Sequence, residues 1–89
     1  TLDISCIPVL KSETHLPIII DPSHATGHWQ FVNPMSKASV AAGADGLMVE
    51  VHIKPEESFS DGAQTLKPSK FDRLMKELRP FIEAAGKTI

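Results

Sequence analysis

The chain has one cysteine, Cys6, among its 89 residues, so no internal disulfide can hold it. A reduced, intracellular setting is the default for such a chain. It also has little excess charge. Lys and Arg number 9 against 11 Asp and Glu, a net charge of −2, which gives nucleic acid or an anionic membrane nothing to seize. No apolar run approaches the roughly 18 residues that a membrane helix needs. No charged-then-apolar signal pattern opens the chain, and a cytoplasmic location is expected by elimination. Hydrophobic content of 42% and charged content of 22% are ordinary for a globular protein. The length suits one small domain with a limited core.

Apolar/polar alternation is missing too. Pro17 to Ile20 reads as a strand because its three isoleucines are β-branched. Without alternation both faces are expected to be buried, the pattern of a parallel strand covered by helices. Gly46 to His52 reads as a second such strand. Between them Asn33 can cap a helix, Pro34 fits its first position and Gly43 the position past its end. Residues 28–32 fit either that helix or a separate turn. Strand, helix and strand make a βαβ unit, which requires parallel strands and a right-handed crossover.

Before this unit, Asp3 can cap a short helix through Ile4, Ile7, Val9 and Leu10. After it, Ile53 to Lys67 is a loop of about 15 residues, a length that is often functional. The last segment carries an apolar stripe of Phe71, Leu74, Met75, Leu78, Phe81, Ile82 and Ala85. Pro68 suits its start and Gly86 its end, while Pro80 is expected to kink or split it near residues 76–77. Lys70, Arg73, Lys76, Glu77 and Arg79 read as its solvated face. Two parallel strands leave edges and faces that need partners. The 89 residues are therefore expected to be a piece of a larger α/β domain.

The loop Asp21-Pro22-Ser23-His24-Ala25-Thr26-Gly27 follows the first strand. Parallel α/β folds place chemistry at the carboxyl ends of strands. His24 lies past the first strand, Glu50 at the end of the second and Asp61 in the long loop. One imidazole and two carboxylates suit a divalent first-row metal. Each residue has a structural alternative. His24 can serve as a hydrogen-bonded loop residue and Asp61 as a turn former, whereas Glu50 ending an apolar strand is costly to bury unpaired. Ser23 and Thr26 can bond either the loop backbone or a substrate. His52 shares a strand face with Glu50. Cys6 reads as a small core residue, and His28 and Trp29 as packing or surface residues.

Three blocks in order resemble a known family. They are the Asp21 to Gly27 loop, Ala41-Ala42-Gly43-Ala44-Asp45-Gly46-Leu47-Met48-Val49-Glu50-Val51-His52, and Ser60-Asp61-Gly62-Ala63-Gln64-Thr65-Leu66. They are similar to the C-terminal part of 3-deoxy-D-arabino-heptulosonate 7-phosphate (DAHP) synthase, of the type related to 3-deoxy-octulosonate-8-phosphate synthase. Thr1-Leu2-Asp3 and Phe71-Asp72-Arg73-Leu74-Met75 extend the resemblance over nearly the whole chain.

The resemblance implies that residues 1–89 are the C-terminal portion of a (β/α)8 TIM barrel, its last two βα units. It implies a metal site of one Cys, His, Glu and Asp. The last three fall on His24, Glu50 and Asp61, and the Cys lies outside this sequence, so Cys6 is not it. The cofactor would be a divalent ion such as Mn, Fe or Zn. The implied reaction condenses phosphoenolpyruvate with erythrose 4-phosphate and releases phosphate, at the entry to the shikimate pathway and aromatic amino acid biosynthesis. The aldehyde must be polarised, which a divalent metal does as a Lewis acid. The proton-transfer group stays open, with His52 a candidate.

Both substrates carry phosphate, which calls for Arg or Lys clamps. Only Lys54 and Lys67 lie in the upper loops, so the clamps are expected from the rest of the barrel and the 89 residues alone are expected to be inactive. The other expected partner is a further copy of the chain, in a homo-oligomer. The alternatives are an octulosonate-phosphate synthase, acting on a five-carbon sugar phosphate, and a non-catalytic barrel module.

Overall fold

The isoleucine run does begin the sheet. The computed structural model describes residues 1–54 and 62–88. Strands β1 (Ile19–Ile20) and β2 (Gly46–Leu47) pair in parallel, Ile19 opposite Gly46 and Ile20 opposite Leu47. Helices α2 (Pro22–Thr26) and α3 (Trp29–Ala42) connect them, which completes the expected βαβ unit. Helix α1 (Cys6–Glu13) precedes it, and a 3-10 turn (Gly62–Gln64) and helix α4 (Pro68–Ala84) follow.

The strands are shorter than expected for a clear reason. The Met48 N–H donates to the Ile20 carbonyl at 2.8 Å, and then the first strand turns into α2 at Asp21. On that side the Glu50 N–H meets the Ser23 hydroxyl in place of a strand partner. Val51 finds a partner on its other side, in an isolated parallel bridge to Leu66.

Four local expectations change. Asn33 and Pro34 do not start α3. It starts at Trp29, and Pro34 sits in its interior on an exposed face, where the ring removes one backbone donor. Pro80 does not split α4, which runs unbroken through residue 84. Asp3 does not cap a helix at Ile4. Its carboxylate accepts from the Ser5 N–H at 3.1 Å and the Ser5 hydroxyl at 2.6 Å, ahead of α1. Ile19, expected to be buried, is 56% exposed, because no further strand or helix among the described residues covers that face.

Two apolar clusters hold the layers. Leu74 and Leu78 of the α4 stripe pack with Val32, Val40 and Leu66, while Ile7, Ile20 and Ala44 join α1 to the sheet. Each cluster has an ionic neighbour. The Asp45 carboxylate accepts from Lys11 Nζ at 2.7 Å, the Ile18 N–H at 2.9 Å and Lys87 Nζ at 2.9 Å. These donors, Lys11 foremost, hold its carboxyl far below the usual carboxylate range. Glu77, on the expected solvated face and one-third exposed, also carries a contact between helices. It bridges α3 and α4, taking Lys37 Nζ at 2.6 Å and Arg73 Nε at 2.5 Å, which lower its pKa from 4.5 to about 2.

Candidate functional site

The loop after β1 is a short capped helix. Asp21 Oδ1 accepts the His24 N–H at 3.0 Å, Pro22 occupies the first turn, and Gly27 closes the helix at φ 70°. A left-handed residue there favours glycine. The same Asp21 holds the His24 ring, its Oδ2 lying 2.6 Å from Nδ1. Cap and ring contact together fix where Nε2 points.

Nε2 lies 2.7 Å from Glu50 Oε1. Glu50 is positioned from three sides. Its N–H donates to the buried Ser23 hydroxyl at 3.1 Å. Its carbonyl accepts the Leu66 N–H at 2.9 Å. Its Oε2 accepts the Thr65 hydroxyl at 3.3 Å. The chain thus brings His24 and Glu50 together at the carboxyl ends of neighbouring strands. Their side chains are 48% and 30% exposed, open enough to meet a ligand.

The charge logic of this contact is restrictive. With Nδ1–H donated to Asp21, a neutral imidazole turns the Nε2 lone pair toward the Glu50 carboxylate. Two acceptors at 2.7 Å repel. A neutral imidazole has one N–H and cannot donate to both Asp21 and Glu50; a second ring proton, or a cation shared by His24 and Glu50, makes both contacts favourable. Among the described residues no group of three or more His, Cys, Asp or Glu is spaced to hold a metal ion. Asp61 lies outside the described residues.

The remaining candidates have local occupations. The Thr26 hydroxyl donates to the Pro22 carbonyl at 2.8 Å and takes part in the turn at His28. The Ser23 hydroxyl faces Glu50 from below. The exposed His52 accepts the Lys54 N–H at Nδ1, 2.9 Å away, so that nitrogen faces its own backbone. Asp21 is the residue the pattern reading passed over. Its signal was present, an Asp followed by Pro and three residues ahead of a His, which is cap punctuation.

Residues 1–84 match the sequence model of the DAHP synthetase I family. The chain belongs to that family. It is similar to the phospho-2-dehydro-3-deoxyheptonate aldolase of Thermotoga maritima, 46% identical over 86 residues, which is 97% of this chain and 25% of that protein. The 2-dehydro-3-deoxyphosphooctonate aldolase of Desulfosudis oleivorans is 32% identical over 94% of this chain and 34% of its own length. In three dimensions the fold matches the crystal structure of the Thermotoga maritima DAHP synthase with a TM-score of 0.94 at 45% identity, covering 99% of this chain and 26% of that one. A truncated form of the Thermotoga enzyme matches equally well, with 34% of its chain covered. The chain thus spans about a quarter to a third of these relatives.

Proposed function

We propose that the chain is the C-terminal portion of a (β/α)8 barrel, and that the whole protein condenses phosphoenolpyruvate with erythrose 4-phosphate as a divalent-metal-dependent DAHP synthase. The observation that carries this is the approach of His24 Nε2 to Glu50 Oε1 at 2.7 Å, with Nδ1 tied to Asp21, in a chain of this family.

The donors suit a divalent ion. A nitrogen and a carboxylate oxygen brought side by side would suit a divalent first-row ion. The carboxylate behind the ring is the usual support of a ligating histidine. His24 and Glu50 would hold the ion, with Asp61 and a Cys elsewhere in the protein completing the set. When bound, such an ion supplies Lewis acidity that polarises the aldehyde oxygen. The chain's own contribution is to fix Nε2 through Asp21 and to seat Glu50 through Ser23 and Thr65. Apolar exposure supports the missing barrel partners, since Met48 is 57% and Ile53 79% exposed at the end of β2.

The second reading, octulosonate-phosphate synthesis, is favoured by relatives at 31–33% identity. One assay separates the two. The whole protein is given phosphoenolpyruvate with erythrose 4-phosphate or with arabinose 5-phosphate. The proposal expects product from the first and a loss exceeding about a hundredfold in His24→Ala, beyond the 10–100-fold typical of supporting residues. Product from the second sugar alone, or a His24→Ala variant as fast as wild type, overturns it.

A further inference from the structure

A second concave site lies between two helices, with neither His24 nor Glu50 in its wall. It is a groove of about 330 Å³ between α3 and α4, within the size range of small-molecule sites. Among the described residues three cations line it, Lys37, Lys70 and Arg73, with Glu77 the single anion. In a chain of net charge −2 this local excess of two positive charges stands out.

The cations are not all consumed by Glu77. Lys37 and the Nε of Arg73 meet that carboxylate, which the depressed Glu77 pKa keeps ionised. Glu77 thereby orients the Arg73 guanidinium, whose two terminal amino groups meet no carboxylate among the described residues. Lys70 also has no carboxylate there. Its Nζ lies 5.8 Å from the centre of the Trp29 ring, which is a weak attachment. Gln30 adds an amide to the same wall, while the Asn33 amide donates to Glu77 at 3.4 Å.

We propose that this groove binds the dianionic phosphoryl group of a small phosphorylated metabolite, at a site distinct from the His24–Glu50 pair. The excess charge matches a dianion, and a planar guanidinium beside an ammonium is a suitable phosphate clamp. Lys70 would leave the Trp29 face to reach the ligand, so the indole reports occupancy.

The test uses the whole protein labelled with ¹⁵N at tryptophan. The Trp29 indole N–H resonance, assigned by its loss in Trp29→Phe, is followed as inorganic phosphate replaces chloride at constant ionic strength. The proposal expects a saturable shift of this resonance, and a dissociation constant at least tenfold weaker in Lys70→Gln/Arg73→Gln. Both residues are exposed, and an unchanged thermal transition shows that the variant is folded. No saturable shift, an equal shift in the variant, or Lys70 shielded from acetylation in the whole protein each overturns the site. None of these outcomes depends on activity, so they stand apart from the assignment of the reaction.

Discussion

Asp21 Oδ2 and His24 Nδ1 lie 2.6 Å apart, and the other oxygen of the same carboxylate caps the helix that carries the histidine. One side chain thus sets both the backbone and the ring. Replacing Asp21 with Asn separates the two duties. The amide oxygen can still accept the His24 N–H, so α2 should persist. The amide nitrogen can only donate to Nδ1, which moves the ring proton to Nε2 and blocks that atom as a ligand. The expected result is an unchanged far-ultraviolet dichroism spectrum with divalent-ion affinity of the whole protein down roughly 10–100-fold. Calorimetry measures the affinity, and ¹⁵N shifts of the imidazole report the tautomer. An affinity equal to wild type would remove Asp21 from its positioning role.

Ser23 offered two roles in the sequence, backbone partner or substrate contact. The geometry favours the first, because the hydroxyl is buried and accepts the Glu50 N–H. Ser23→Ala leaves that N–H without its partner, at a cost of about 1–3 kcal/mol. Denaturant unfolding of the whole protein should show the loss. A raised KM with unchanged stability would mean that Ser23 touches substrate instead.

The ionic bridge at Glu77 predicts an acid response. Lys37, then Arg73, lower its pKa from 4.5 to about 2 in the folded chain. A depressed carboxylate stabilises the fold above the unfolded value and loses that contribution as pH falls toward the folded one. The relevant window is therefore pH 4.5 down to about 2. Glu77→Gln should melt earlier than wild type near neutral pH and show a shallower decline of Tm through that window. Parallel curves would show that the bridge adds nothing to the fold.

The parts legible in the sequence were those written in local pattern. The α4 stripe, the parallel βαβ order and the turn at Gly43 could be read from periodicity and punctuation. Gly43 ends α3 at φ 111°, with its own N–H bonded to the Val40 carbonyl and the Ala44 N–H to Ser39, the double closure that a left-handed glycine permits. Prolines misled, because ring geometry predicts where a helix is costly, not where packing overrides the cost. Pro34 loses one hydrogen bond inside a helix that buries Val32 and Val40, and the burial prevails. The ion pairs were invisible for a different reason. Lys37 meets Glu77 across 40 positions and Lys87 meets Asp45 across 42, so only the folded chain makes them neighbours. At the site, the sequence indicated His24 and Glu50 as separate strand-end residues. It could not show that Asp21 reaches the ring.

Asp45 precedes β2 by one residue, and Glu50 follows it by three. One carboxylate gathers the donors of Lys11, Ile18 and Lys87, while the other turns toward a half-exposed imidazole. The bracing of the fold and the proposed chemistry therefore fall at opposite ends of one short strand. Residues around Asp45 can then be traded to change how long such a molecule lasts, leaving the His24–Glu50 pair as it stands.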